Sequence, residues 1–299
     1  MNHDKRLPTY VLITAARNEA QYIVKTLDSV VNQTILPLRW VIVNDGSTDN
    51  TSAIVKEYAA QYPFIKLVTI QRDGDRNFAA KVYAFEKGQQ LVQDLQYDFI
   101  GNLDADVSFR KDYYEVLINK FKDKPRLGVS GGIIYEKIGD KFYKQNINTR
   151  SVAGAIQFFC KDCLESFGGY LALKNGMVDG IAELMARRNH WQTLTFSDLV
   201  VFHHRRVGTT SINIFTMNFK AGINQYQLGY LIKYHVLRSI SYIFSKPYLL
   251  GTICLLSGYF YALISGKPRI IPNDIVTYLR YEQKQFLRSR FKKSLNPAN

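Results

Sequence analysis

Cysteine is scarce, at three in 299 residues, which excludes a small secreted scaffold stapled by disulfides. Met1 to Pro8 lacks an apolar core, so no secretory leader is expected there, and the catalytic part is expected to stay in the cytosol. Internal repeats and low-complexity tracts are absent, which excludes solenoid and linker-like chains. Acidic residues are missing altogether from positions 199–273. No zinc-finger, helix-turn-helix or RNP pattern accompanies that gap, so no nucleic-acid partner is expected.

What is there suffices for a packed protein. Hydrophobic residues make up 46% and aromatics 13%, enough for a core. The formal net charge of +14 is unevenly placed. Residues 199–299 carry 14 Lys and Arg against Asp274 and Glu282, or +12, leaving +2 for the first 198 residues. The chain reads as a near-neutral domain followed by a basic third.

The first 135 residues alternate short apolar runs with helical spacing. Tyr10–Ala16, Arg39–Val43, Ile65–Ile70 and Tyr97–Leu103 read as strands. Glu19–Asn32, Thr48–Ala60, Phe78–Val92 and Tyr113–Phe121 read as helices. This alternation predicts βαβ units, an α/β fold and a mainly parallel sheet, with ligands at the carboxyl ends of the strands. Leu127–Ile134, Val152–Phe159 and Leu194–His204 are predicted as further strands, around a helix near Ile181–Arg188. Lys137–Arg150 reads as a loop or irregular hairpin.

Three strand ends concentrate polar groups: Ala15-Ala-Arg-Asn-Glu19, Val43-Asn-Asp-Gly-Ser-Thr-Asp49 and Asn102-Leu-Asp-Ala-Asp106. Asp45-Gly-Ser alone is also a plain turn and helix cap. Asp104 and Asp106 repel each other unless a cation joins them, and hard oxygen ligands suit Mg2+ or Mn2+. Cys160-Lys-Asp-Cys163 lacks the two further ligands of a zinc site and reads as incidental.

Taken together and in order, Ile13–Glu19, Thr26–Thr34, Val41–Thr51, Leu103-Asp-Ala-Asp106, Gly154-Ala-Ile, Phe167-Gly-Gly-Tyr170, Trp191-Gln-Thr and His203-His-Arg205 resemble the family-2 glycosyltransferases. The resemblance spans roughly residues 8–206. It implies an inverting enzyme with the GT-A nucleotide-diphospho-sugar transferase fold, a Rossmann-like mixed and mainly parallel sheet, followed here by amphipathic or hydrophobic helices. It divides the chain into a catalytic domain over 1–206 and a basic, aromatic, membrane-associated region over 207–299. Residues 8–135 would form the nucleotide-sugar half of that domain and 136–206 the acceptor side.

By position, the resemblance puts Ala16, Arg17, Asn18 and Glu19 at the nucleotide base and ribose. Asn44 and Asp45 fall at the uridine, and Asp104 and Asp106 at the ribose and a divalent cation. Arg72, Arg76 and Lys81 follow the third strand, where the family places basic groups near the donor; a solvated helix start is the other reading. A late histidine often completes such a site. Strand alternation lets only one of His203 and His204 face it, and Arg205 or Arg206 could pair with phosphate. The family's usual adjacent Glu-Asp pair for the general base is missing. Asp179, with Glu183 one turn on, is expected to take that role.

Tyr248–Ser265 is an uncharged run of borderline length for a membrane span. Ile223–Phe244 is expected to be one interfacial helix. A single span would put Arg280–Lys293 outside, against the positive-inside tendency, so shallow insertion at the cytoplasmic face of an anionic inner membrane is expected. The expected partners are a nucleotide sugar, UDP-linked first, and a lipid-linked or saccharide acceptor. The alternatives are a binding module using the basic third on nucleic acid or anionic membrane, and a sugar-1-phosphate nucleotidyltransferase. The latter needs a glycine-rich loop after the first strand, and Ala15–Glu19 contains no glycine.

Overall fold

A computed structural model describes residues 7–70, 78–146, 148–205, 213–243 and 248–295, the last five without their side chains. Arg72, Arg76 and Arg206 lie outside the described residues. The chain divides into two compact units, Met1–Gly208 and Thr209–Asn299.

The first unit is built on one mixed sheet. Its strands are β1 (Tyr10–Ala16), β2 (Arg39–Asp45), β3 (Ile65–Ile70), β4 (Phe99–Leu103), β5 (Val107–Phe109), β6 (Leu127–Ile138), β7 (Lys141–Lys144), β8 (Ile156–Cys160) and β9 (Gln192–His203). They lie in the order β3-β2-β1-β4-β8-β6-β9-β5, with β7 hairpinned onto β6. The β3-β2-β1-β4 half is parallel, as are β6 and β9, while β8 runs antiparallel between β4 and β6.

Helices cover both faces because β1 and β2 carry buried apolar side chains on both sides of the pleat. Tyr10, Leu12, Trp40 and Ile42 pack under α1 (Ile23–Val31), α2 (Thr51–Gln61) and α4 (Tyr113–Lys122). Val11, Ile13, Val41 and Val43 pack under α3 (Ala79–Gln90), α5 (Lys161–Ser166) and α6 (Val178–Arg188).

The strand expected over Val152–Phe159 begins only at Ile156. The backbone before it is committed elsewhere: Val152 N–H donates to Glu183, and the Gly154 and Ala155 carbonyls accept from Lys81 Nζ and Asp104 N–H. The short strand β5 was not expected at all; it exists by pairing with Val201–His203, far along the chain.

The second unit contains α7 (Ile214–Gln227), α8 (Ile232–Ile240), α9 (Tyr248–Ile264) and α10 (Asn273–Leu295). The single helix expected over Ile223–Phe244 is two, broken at Gly229, whose φ of 88° interrupts the helical path. Gly222 and Gly258 let α7 and α9 meet backbone to backbone, since a Cβ on either would strike the other helix. Buried His235 stacks on Tyr259 at 4.1 Å, with Nδ1 2.8 Å from Gln225 Oε1. Burial lowers its pKa to about 4, so it is a neutral core residue at physiological pH. Among the described residues no helix is long and apolar enough to cross a membrane.

Candidate active site

The parallel strands deliver their polar ends to one edge of the sheet. The turn after β1 is laced to the turn after β2. Asn18 takes a φ of 56°; its N–H donates to Ser47 Oγ (3.0 Å) and its Oδ1 accepts from Thr48 N–H (2.8 Å). Asn44 Oδ1 accepts from Ser47 N–H (3.0 Å), and its Nδ2 donates to Ser52 Oγ (2.7 Å). Arg17 lies 3.9 Å from Asp45, which is largely buried at the end of β2. Ala16 is buried in the strand itself.

The end of β4 meets the end of β9. One ligand atom from each of Asp104, Asp106 and His203 falls within 4.8 Å of the others. His203 Nε2 is 3.1 Å from Asp106 Oδ1. Burial pulls the His203 pKa down, but the bond to Asp106 and the charges of Asp106 and Asp104 carry it above its ordinary value. His204 points the other way along the strand, with Nε2 2.8 Å from Ser108 Oγ. Burial and the Lys25 charge lower its pKa to about 4. Alternation thus gives the carboxylates one imidazole, and His204 is not part of the cluster.

Cationic side chains close the cluster. Lys81, on α3, pairs with Asp104 and donates to the Gly154 carbonyl at 3.0 Å. Arg205 pairs with Glu19 and lies 3.2 Å from Asp106 Oδ2, with its guanidinium 5.5 Å from the Tyr22 ring centre. Two carboxylates and an imidazole form a donor set that fits Mg2+ or Mn2+.

The two carboxylates of α6 diverge. Asp179 stands against Gly154, so close that a Cβ on Gly154 would lie 2.8 Å from Asp179 Oδ2. Glu183 points into the core at 3% exposure. Its Oε1 accepts from Val152 N–H (2.6 Å) and Gln157 Nε2 (3.2 Å), and Arg187 lies 3.6 Å from Oε2. Cys160 and Cys163 are free thiols.

Asn102 and Tyr170, which the sequence motifs include without a role, and Gln157, which they omit, sit buried between these groups. Tyr170 ends the Phe167-Gly-Gly-Tyr segment and Gln157 follows Gly154-Ala-Ile, so both were within reach of the motifs already singled out.

The mixed α/β sheet thus gathers an Asp/Asp/His cluster at the carboxyl edge of its parallel strands. The chain belongs to glycosyl transferase family 2, whose model matches residues 11–180. It is 32% identical over 124 residues to a chondroitin synthase of Pasteurella multocida (strain Pm70), covering 41% of this chain and 12% of that relative. It is 33% identical over 134 residues to 4,4'-diaponeurosporenoate glycosyltransferase of Staphylococcus aureus (strain MRSA252), covering 44% of this chain and 33% of that one. The matches therefore span a third or less of these relatives' lengths.

Among solved structures, the chain is similar to the mannosyltransferase PcManGT from Pyrobaculum calidifontis in complex with GDP-Man and Mn2+. The TM-score is 0.56 at 15% identity, covering 99% of this chain and 89% of that one. It is also similar to S. aureus TarS in complex with UDP-GlcNAc, with a TM-score of 0.55 at 12% identity, covering 94% and 92%. The fold is that of the GT-A glycosyltransferases.

Proposed function

We propose that this chain transfers a sugar from a nucleotide sugar, with inversion, to a lipid-linked or saccharide acceptor in cell-surface polysaccharide or glycolipid synthesis. The observation that supports it most is the meeting of Asp104, Asp106 and His203 at the sheet edge, with Asp179 held at Gly154. Similar solved structures carry GDP-Man with Mn2+ and UDP-GlcNAc, which supports the donor class; UDP-linked sugars are the first to test.

In this reading Asp104, Asp106 and His203 hold Mg2+ or Mn2+, which would neutralise charge growing on the diphosphate as the glycosidic bond breaks. Asn18, Glu19, Asn44 and Asp45 shape the nucleoside pocket with Arg17, and Lys81 and Arg205, beside Asp104 and Asp106, add positive charge on the diphosphate side. Asp179 takes the proton of the acceptor hydroxyl while that oxygen bonds to the anomeric carbon and the nucleoside diphosphate leaves. Asp179 is preferred to Glu183 as base because both Glu183 oxygens face the chain's own donors.

The second unit suits a lipid surface at the cytoplasmic face of the membrane. α9 exposes Leu249, Leu250, Ile253, Phe260, Leu263 and Ile264. Exposed Lys220, Lys233, Arg238 and Lys267 lie in the stretch without acids. Large apolar side chains interleaved with base favour anionic lipid over nucleic acid.

The test is turnover of a nucleotide-sugar panel with Mn2+ by the full chain and by Asp106→Ala and Asp179→Asn. Loss of transfer in both is expected. Full activity in Asp106→Ala would defeat the cation role, and full activity in Asp179→Asn the base role.

A further inference from the structure

Between the two carboxylate sites of the first unit runs a line of buried polar side chains that the proposed transfer does not itself consume. Asn102, on β4, stands in register with Gln157 on the neighbouring antiparallel β8. Asn102 Nδ2 donates to Tyr170 Oη at 3.2 Å and lies 3.4 Å from the Gly154 carbonyl. Tyr170 Oη donates to Gln157 Oε1 at 2.7 Å. Gln157 Nε2 then donates to Glu183 Oε1 at 3.2 Å and to the Asp179 carbonyl at 3.3 Å. At the other end, the Gly154 carbonyl accepts from Lys81, which pairs with Asp104. The line thus connects the first turn of α6, which carries Asp179, with the end of β4, which carries Asp104.

Its polarity admits one arrangement. The Asp179 carbonyl accepts in every protonation state, and ionised Glu183 accepts as well, so the Gln157 NH2 must face them and its carbonyl must face Tyr170. That forces the Tyr170 hydroxyl to donate to Gln157 and to accept from Asn102. Every bond therefore runs the same way, from Asn102 to Glu183. Stability alone does not call for such a line, because well-packed apolar side chains would serve as well or better. A fully satisfied buried network does fix separations that an apolar core leaves loose.

We propose that Gln157 and Tyr170 are positioning residues of the transfer reaction, holding the start of α6 at a fixed separation from the end of β4. The inference rests on the reading of Asp179 as the base and of Asp104 as a cation ligand. Neither positioning residue touches donor or acceptor in this account. Their effect falls on the rate of the bound complex, not on donor affinity.

Tyr170→Phe is the sharpest test. It removes one hydroxyl and keeps the ring's edge contacts with Phe85 (5.0 Å) and Phe159 (5.7 Å). Tyr113→Phe is the control: it removes an equally buried hydroxyl, which accepts from Gly132 N–H at 2.9 Å, outside the line. Both variants should lose similar Tm. Tyr170→Phe should lose kcat on the order of tenfold with donor KM within about twofold, the signature of misplaced groups. Tyr113→Phe should keep wild-type kcat. Gln157→Met should repeat the Tyr170→Phe pattern if it folds; if it does not, the Tyr170→Phe and Tyr113→Phe pair decides. Wild-type kcat in Tyr170→Phe, equal kcat losses in the two Tyr variants, or a rise in KM alone would overturn the proposal. Asp179→Asn in the same assay separates the failures. An inactive Asp179→Asn beside a fully active Tyr170→Phe overturns this inference alone, whereas a fully active Asp179→Asn overturns the base reading and this inference with it.

Discussion

Asp179 rests on Gly154 because only glycine leaves room for it: a Cβ there would lie 2.8 Å from Oδ2 and 3.0 Å from the Asp179 Cβ. Gly154 also lends its carbonyl to Lys81. One residue thus touches both the proposed base and the Lys81–Asp104 pair. Gly154→Ala should push Asp179 aside at an overpacking cost of about 1–3 kcal/mol. Transfer should fall on the order of 10- to 100-fold while the fold persists. Steady-state rates beside circular dichroism check this; undiminished transfer would show that the close approach does not matter.

Lys81 carries the second prediction. Its ammonium pairs with Asp104 on the side where the donor's diphosphate is proposed to lie. Lys81→Met should raise donor KM about tenfold or more, the ~1.5 kcal/mol of one charge-assisted hydrogen bond. The effect on kcat should be smaller. Donor titrations of the variant decide it, and an unchanged KM would place Lys81 outside donor binding.

Burial pushes the Glu183 carboxyl up to about 7 from 4.5, against the Val152 N–H bond and the Arg187 charge, with Asp179 adding to the rise. The folded chain then holds this proton more tightly than the unfolded chain. Its contribution to stability is complete below about 4.5 and is lost as pH rises through about 7. The loss is at most about 3 kcal/mol. Glu183→Gln cannot titrate, so wild type should lose Tm relative to this variant between pH 5 and 8. A constant difference would contradict the shifted carboxyl.

Much of this was legible in the sequence, for a physical reason. Strands buried on both faces read as unbroken apolar runs, and the residues just past them carry the chemistry, so Asp45, Asp104 and Asp106 could be located from chain order alone. The choice between His203 and His204 could not be read, because alternation says that one faces the site but the pairing of β9 with β5 decides which. The Asn102, Tyr170, Gln157 and Glu183 line was invisible for a similar reason: its members are brought together by sheet register, not by sequence spacing. The single helix read over Ile223–Phe244 failed at Gly229, where a local backbone requirement overrides a continuous apolar pattern.

The second unit supplies the fourth prediction. Ile253 and Leu250 are half exposed on an uncharged helix. The full chain should co-sediment with phosphatidylglycerol vesicles, and less so with phosphatidylcholine vesicles or at high salt, since each Lys or Arg near an anionic surface adds about 1 kcal/mol. Leu250→Glu with Ile253→Glu should abolish the association. Equal binding by that double variant would remove α9 from the membrane reading.

In the proposed reaction Asp104, Asp106 and His203 bind a divalent cation together with a nucleotide sugar. Calorimetric titration of a UDP-sugar and GDP-mannose into the full chain, with Mn2+ and then with EDTA, tests it most directly. Binding of one donor that requires Mn2+, and that is lost in Asp106→Ala, is the predicted result. Donor binding of equal strength in EDTA, or in Asp106→Ala, would contradict it.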